Sequence, residues 1–114
     1  MTLNDPLTWA DFEKVDIRTG TIVAAEAFPQ AHKPAYKLTI DFGPLGTKRT
    51  SAQLTALYER DALIGKQVVA VVNFPPKQIA TFSSECLVLG AVADDGTVTL
   101  LQTERSTQNG LRIA

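Results

Sequence analysis

Alternating apolar and polar residues predict a strand at residues 36–43. The stretch reads YKLTIDFG, with an apolar side chain at every second position. A period of two is typical of a strand with one face in the core and the other in solvent. We therefore expect the apolar face to point inward, and its members are Tyr36, Leu38, Ile40 and Phe42.

Two further strands are predicted, one on either side of this one. Residues 15–28, VDIRTGTIVAAEAF, also read as a strand and carry Gly20 near the middle. A glycine inside a strand often marks a bulge or a sharp bend, which a small barrel needs in order to turn a corner. Residues 47–52 predict a short third strand.

The hydrophobic period changes between residues 51 and 64. Leu54, Leu57 and Tyr58 stand at positions i, i+3 and i+4, which predicts the apolar stripe of a short helix. We expect this helix to end at Gly65, because glycine commonly follows the last helical turn.

A strand that is apolar on both faces is predicted at residues 67–74, QVVAVVNF. This pattern indicates a central strand that is covered on both sides. Pro75 and Pro76 end it, because neither has a backbone N–H to donate to a neighbouring strand. We expect four residues of this strand and the next to join the core: Val69, Val71, Leu87 and Leu89.

A hairpin is predicted near the end of the barrel. Residues 86–92, CLVLGAV, and residues 97–101, TVTLL, flank an Asp-Asp-Gly sequence. Asp-Gly between two strand-like runs is a strong signal for a tight turn. The predicted order is therefore three strands, a short helix and further strands.

This order is that of the OB-fold barrel. The chain has 114 residues, about the length of one domain. We predict a single domain over residues 1–114, all-β with a short helix, in which a five-stranded OB-fold barrel carries N- and C-terminal extensions. The extensions are residues 1–14 and 102–114.

Charge is unevenly distributed in a chain whose formal net charge is −1. Residues 27–84 carry seven basic and three acidic side chains, and the remainder is acidic. Ordinary solvated charge explains such a division. The alternative is a basic patch for phosphates or acidic peptides, formed if Lys33, Lys37 and Lys77 lie close together.

The residues of a metal or catalytic centre are missing from the sequence. Cys86 is the only cysteine and His32 the only histidine, so an internal disulfide and a clustered Cys/His metal site are excluded. No P-loop, G-x-S-x-G or H-E-x-x-H motif occurs. We therefore predict no catalytic residue, no metal ligand and no cofactor, and a protein that is not an enzyme.

The sequence also predicts a cytoplasmic protein without stable membrane insertion. Its start, MTLNDPLTW, has neither the basic nor the apolar region of a signal peptide. The longest aliphatic run, residues 68–72, is far shorter than the roughly 20 residues that a membrane span needs.

Three loops carry the residues that we predict to form a binding site: residues 31–36, 50–53 and 73–79. Phe74 can be read as core and the prolines beside it as a rigid turn. The alternative is a preformed apolar ledge with polar groups at its edge, which would lose little entropy on binding. The candidate peptide- or tRNA-binding residues are Lys33, Ala35, Tyr36, Ser51, Asn73, Phe74, Pro75, Pro76 and Lys77.

Three stretches carry a resemblance to a known family: residues 16–43, residues 51–90 and residues 109–114. Motifs such as KPAYKL, SAQ, VVNFPP and LVLG occur in order at the family's spacing. The chain resembles the CsaA branch of the tRNA-binding-domain family. This resemblance implies a non-catalytic OB-fold homodimer, a chaperone that binds unfolded or preprotein segments and cooperates with components of the protein-export machinery.

The resemblance leaves two ligands open. The preferred ligand is an unfolded or secretory polypeptide, bound without ATP in apolar surface pockets. The alternative is tRNA or structured RNA, which relatives in the family bind through the corresponding barrel face. The sequence Ser-Glu-Cys-Leu at residues 84–87 matches the CsaA branch and departs from the Ser-Glu-Gly-Met that is usual in the tRNA-binding relatives.

The extensions are predicted to build the homodimer. They contain apolar residues with no obvious core to enter, namely Leu7, Trp9, Leu111 and Ile113. Packing on their own barrel is the alternative, and the family resemblance favours the dimer.

Overall fold

The computed structural model describes residues 2–114, in which nine short strands and two short helices form a small β-barrel with appended hairpins. A single 3-10 turn, Gly43–Leu45, joins the second and third strands. The elements in chain order are α1 (Trp9–Glu13), β1 (Ile17–Ala27), β2 (Tyr36–Asp41), β3 (Thr47–Ala52), α2 (Arg60–Leu63), β4 (Gln67–Val71), β5 (Lys77–Ile79), β6 (Phe82–Ser84), β7 (Leu87–Val88), β8 (Gly90–Val92) and β9 (Val98–Leu100).

Five strands form one antiparallel sheet in the order β3-β2-β1-β4-β7. The sheet curls until β3 also contacts β6 and β7, so the barrel is nearly closed. The hairpins β5–β6 and β8–β9 form separate two-stranded sheets. This arrangement confirms the predicted five-stranded OB-fold barrel in a mostly β fold, which carries two short helices where one was expected.

Strand β1 turns the corner between the two halves of the barrel. Its first part pairs with β4 and its second part with β2. The register shift lies between Ile22 and Ala24, three residues beyond the position where the glycine suggested it. Gly20 has a different role, because a Cβ there would lie 2.6 Å from the Cγ2 atom of Ile40. The missing side chain lets β2 pack closely across the barrel.

The inward face of β2 is as predicted. Leu38, Ile40 and Phe42 are fully buried in the central core, and Tyr36 packs against it at the barrel's end. Apolar side chains removed from water in this way are the main stabilising contribution to a domain of this size.

The prediction for β4 and β7 was wrong in its choice of face. Val68 and Ala70 point into the central core, whereas Val69 and Val71 are buried outside that cluster. Leu87 is about half exposed, at 48%, and Leu89 is partly buried outside the cluster. Strand β4 is covered on both faces, so burial alone does not distinguish one side from the other.

The C-terminal segment pairs with the edge of β1 in an antiparallel bridge between Arg18 and Arg112, and it contacts Gln67 at the start of β4. The Thr19 hydroxyl donates to the carbonyl oxygen of Gln108 at 2.8 Å. The Gln67 side chain donates to the Thr107 carbonyl oxygen and accepts the N–H of the same residue. Further along the segment, the N–H of Ile113 donates to the Ile17 carbonyl oxygen of β1 at 2.8 Å. Much of this predicted extension therefore packs on its own barrel.

The predicted helix over residues 51–64 is reduced to one turn, α2. Leu54 is buried, but Leu57 is exposed. The N–H of Leu100 donates to the Tyr58 hydroxyl at 3.0 Å, which ties this loop to β9. Tertiary contacts of Leu54 and Tyr58 therefore replace the continuous helix that their spacing suggested. A membrane-crossing helix is absent from residues 2–114, since neither helix is long and apolar enough.

Candidate functional site

The β5–β6 hairpin folds over the outside of the barrel. Its anchor is Phe82, which is buried against Phe28 with the two ring centroids 5.4 Å apart in an edge-to-face arrangement. Edge-to-face packing is a favoured geometry for aromatic rings. The contact fixes the hairpin, and with it the loop that precedes β5, beside the end of β3.

Two cations cover this aromatic pair. The Lys37 Nζ lies 4.9 Å from the centroid of Phe28, and the Arg49 Cζ lies 4.7 Å from that of Phe82. Arg49 also contacts the Glu26 carboxylate at 3.3 Å. These contacts attract the cations to the ring faces and hold positive charge next to the hairpin.

Side-chain hydroxyls hold the segment after β6 against β3. The Thr50 hydroxyl donates to the Cys86 carbonyl oxygen at 2.6 Å. The Ser84 hydroxyl accepts the N–H of Ser51 at 3.2 Å. A cavity lies between the hairpin and the barrel beside these bonds, and Ser51, Ser84 and Cys86 line it.

This space, the hairpin groove, has a volume of about 430 Å³. Phe74 and Leu87 present apolar surface to it, at 54% and 48% exposure, and Lys77 supplies a cation. No acidic residue occurs among the described lining residues. An apolar groove with a few polar groups is typical of a ligand site. It is lined by Ser51, Gln53, Phe74, Pro75, Lys77, Ile79, Ser84, Cys86 and Leu87.

Cys86 contributes a neutral thiol to the groove. Burial raises the pKa of the Cys86 thiol from 9.0 to about 11, although the hydrogen bond with Thr50 and the charge of Lys48 act in the opposite direction. The thiolate is the reactive form of cysteine. At neutral pH this side chain is therefore a small apolar group and not a nucleophile.

The structure brings together four of the nine residues that the sequence singled out. Ser51, Phe74, Pro75 and Lys77 line the hairpin groove. Pro76 is exposed in the same turn but is not among the lining residues.

The other four residues lie elsewhere. Ala35 and Tyr36 border a shallow depression with His32 and Pro34. Lys33 borders another with the turn of the β8–β9 hairpin. Lys33 and Lys77 therefore line different pockets.

Asn73 has a structural role that the sequence did not indicate. Its Nδ2 atom donates to the Lys14 carbonyl oxygen at 2.7 Å, and its Oδ1 atom accepts the N–H of Asp16 at 3.0 Å. Both bonds hold the chain that leads into β1. The carboxamide thus faces a different cavity from the one beside Phe74.

Five groove residues were not among the nine candidates: Gln53, Ile79, Ser84, Cys86 and Leu87. Gln53 and Ile79 lie in two of the predicted site loops, residues 50–53 and 73–79. The other three form the end of β6 and the segment after it, which the sequence reasoning missed as part of the site. Their only local signal is the sequence Ser-Glu-Cys-Leu directly before an apolar strand.

Metal binding finds no support in residues 2–114, where no group of three His, Cys, Asp or Glu side chains is close enough to hold an ion.

Comparison with known proteins relates the chain to one family. The model of the putative tRNA-binding domain matches residues 17–112. The crystal structure of chaperone CsaA from Bacillus anthracis strain Ames is 50% identical, with a TM-score of 0.93, over 96% of this chain and 100% of that one. The CsaA chaperone protein of Picrophilus torridus is 52% identical, with a TM-score of 0.88, over the same shares of the two chains.

Curated relatives include much longer proteins. The methionine–tRNA ligase of Methanococcoides burtonii is 40% identical over 106 residues, which are 93% of this chain but 15% of the ligase. The chain thus spans about 15% of the length of the curated relatives that it matches.

Proposed function

The chain belongs to the tRNA-binding-domain family and is CsaA-like, and from this premise we propose that it is a non-catalytic, ATP-independent chaperone. It binds unfolded or preprotein segments in the hairpin groove and assists protein export from the cytoplasm, in contact with components of the export machinery. The observation that carries this proposal is the half-exposed apolar surface of Phe74 and Leu87 beside a rigid Pro-Pro turn.

The groove chemistry supports weak binding of many sequences. Burial of one large apolar side chain contributes about 1.5–3 kcal/mol before entropic costs. The neutral Cys86 thiol and the open shape of the groove impose few requirements on the side chain that enters. Tolerant, weak binding suits a chaperone that must release its client without nucleotide hydrolysis.

A homodimer is part of the proposal. The described N-terminal residues form a short helix, α1, none of whose residues is buried, and Trp9 is 83% exposed. Leu7, Trp9 and Phe12 line a mostly apolar depression together with the C-terminal Ala114. A second copy would cover this surface and would present two grooves to one long client, so that the two weak contacts strengthen each other.

RNA binding is the second candidate function, and the family itself favours it. Lys37 and Arg49 hold positive charge over the buried rings of Phe28 and Phe82, and surface cations of this kind can bind the phosphates of RNA. The acidic sequence pI of about 5.7 argues for the peptide ligand, because nucleic-acid-binding domains are commonly basic.

Salt dependence separates the two functions. We would measure the binding of a denatured-protein peptide library and of total tRNA to the purified protein at low and at high salt. RNA affinity should fall steeply as salt rises, because binding releases counterions from the phosphates and this release is less favourable at high salt. The affinity for apolar peptides should not fall in this way. Peptide binding that persists at high salt supports the chaperone. Binding of tRNA alone, with a steep salt dependence, would replace it with the RNA function.

A further inference from the structure

We propose that the hairpin groove binds its client as an added β-strand at the end of β3, on the carbonyl oxygen of Ser51 and the N–H of Gln53, the residue that follows the strand. The inference rests on the proposed function and names the form in which the polypeptide is held. Main-chain hydrogen bonds would supply contacts that any sequence can make, and the groove would receive alternate side chains.

The pairing of β3 shows which backbone groups point to its outer edge. Arg49 and Ser51 face away from β2, because their N–H groups donate to the Glu85 carboxylate at 2.9 Å and to the Ser84 hydroxyl at 3.2 Å. Alternate residues of a strand direct their backbone groups to the same side. Ala52, the last residue of β3, alternates with Ser51 and directs its carbonyl oxygen toward β2. The N–H of Gln53 belongs to the same trans peptide and therefore points away from β2.

Two backbone groups at this edge lack a committed partner. The Ser51 carbonyl oxygen lies 3.3 Å from the Thr50 hydroxyl. That hydroxyl has one proton, and its 2.6 Å contact with the Cys86 carbonyl oxygen is much the shorter. The N–H of Gln53 makes no hydrogen bond within residues 2–114.

A carbonyl oxygen and an N–H two residues apart on one edge are the acceptor and the donor that a neighbouring strand would bond. In a parallel pair they bracket a single partner residue, and in an antiparallel pair they bond the residues on either side of it. An unpaired edge of this kind is a template for another extended chain. Both residues also line the groove with Phe74 and Leu87, so a strand bound there would have apolar surface next to it.

Backbone methylation of the client tests this geometry directly. The probe is a fluorescein-labelled peptide in which leucine alternates with serine, with an aspartate at each end for solubility, and binding is followed by fluorescence anisotropy. One derivative carries N-methyl groups on all leucines, and the other carries them on all serines. In a strand, all N–H groups that face the protein belong to one of these sets. We expect one set to weaken binding by about tenfold or more, since each tenfold equals about 1.4 kcal/mol, and the other to leave it within about twofold.

The outcomes distinguish this inference from the function on which it rests. If neither set weakens binding, or both weaken it equally, while the unmodified peptide binds, strand addition is overturned and the chaperone function stands. If the unmodified peptide does not bind at all, both are overturned. A second variant pair tests the protein side: Gln53→Pro removes the N–H, and we expect about tenfold weaker binding than for the matched control Gln53→Ala.

Discussion

Glu85 and Arg49 are joined by two hydrogen bonds that imitate a pair in a β-ladder. The N–H of Glu85 donates to the Arg49 carbonyl oxygen at 2.8 Å. The N–H of Arg49 donates in return to the Glu85 Oε1 atom at 2.9 Å, so that a side-chain oxygen takes the place of a backbone carbonyl. This pair closes the barrel between β3 and the segment that leads into β7.

Replacement of this carboxylate should weaken the barrel. We expect Glu85→Ala to lower the free energy of unfolding by about 1 kcal/mol, the usual net contribution of one hydrogen bond. Glu85→Gln keeps an acceptor oxygen in the same place and should retain most of the stability. Urea denaturation of the three proteins measures the difference. Equal stabilities for the alanine and glutamine variants would show that the side-chain acceptor contributes nothing.

Gly20 is required by close packing across the barrel. A Cβ at this position would approach Ile40 Cγ2 to 2.6 Å and the Phe42 ring to 2.8 Å. We expect Gly20→Ala to destabilise the fold by about 1–3 kcal/mol, as is typical of overpacked cores. Thermal and urea unfolding measure this loss. A variant as stable as the natural protein would mean that the two neighbouring side chains can move aside without cost.

The inward face of a strand can be predicted from the sequence only where its two faces differ in polarity. In β2, polar residues alternate with Leu38, Ile40 and Phe42, so the inward face could be assigned before the structure was known. In β4, Val68 to Val71 are apolar on both sides and all are buried. Their pattern carries no information about which face meets the central core.

The site was less predictable, because residues that are adjacent in the sequence can direct their side chains to different cavities. Asn73 precedes Phe74, yet its carboxamide bonds to the backbone of Lys14 and Asp16 and faces away from the groove. The β5–β6 hairpin has no alternating apolar pattern. Its position depends on the contact between Phe82 and Phe28, residues that are far apart in the chain.

The buried Cys86 thiol should make stability depend on alkaline pH. Its pKa is about 11 in the folded protein, against an ordinary value of 9.0. The thiol of the unfolded chain loses its proton at lower pH than the buried thiol does. The free energy of unfolding therefore keeps its full value below pH 9.0 and decreases as pH rises toward 11. Unfolding free energies are measured across this pH range for the natural protein and for Cys86→Ala. The difference between the two profiles is the contribution of the thiol, because the other titrating groups are common to both proteins. Identical pH profiles for the two proteins would contradict it.

The proposed homodimer should depend on Trp9. This side chain is 83% exposed in the single chain, so Trp9→Ser should leave the barrel's own stability nearly unchanged. We expect the variant to sediment as a monomer at concentrations where the natural protein is a dimer. Val92→Ser is the matched control, because Val92 is also largely exposed, at 70%, and lies on the β8–β9 hairpin. A dimer that survives Trp9→Ser would place the interface elsewhere, and its loss in both variants would show that the dimer does not depend specifically on the Trp9 surface.

Peptide binding in the hairpin groove should depend on Phe74. The phenylalanine ring supplies much of the exposed apolar surface there, and loss of a contact that buries a large side chain costs about 1.5–3 kcal/mol. We therefore expect Phe74→Ala to weaken peptide binding by about tenfold or more, measured by anisotropy on protein that is shown to be folded. Leu57→Ala is a matched control, since Leu57 is exposed to the same extent, 54%, but lies outside the groove. Equal affinities for these two variants would mean that apolar clients bind on another surface, whereas selective loss in the Phe74 variant identifies the groove as their site.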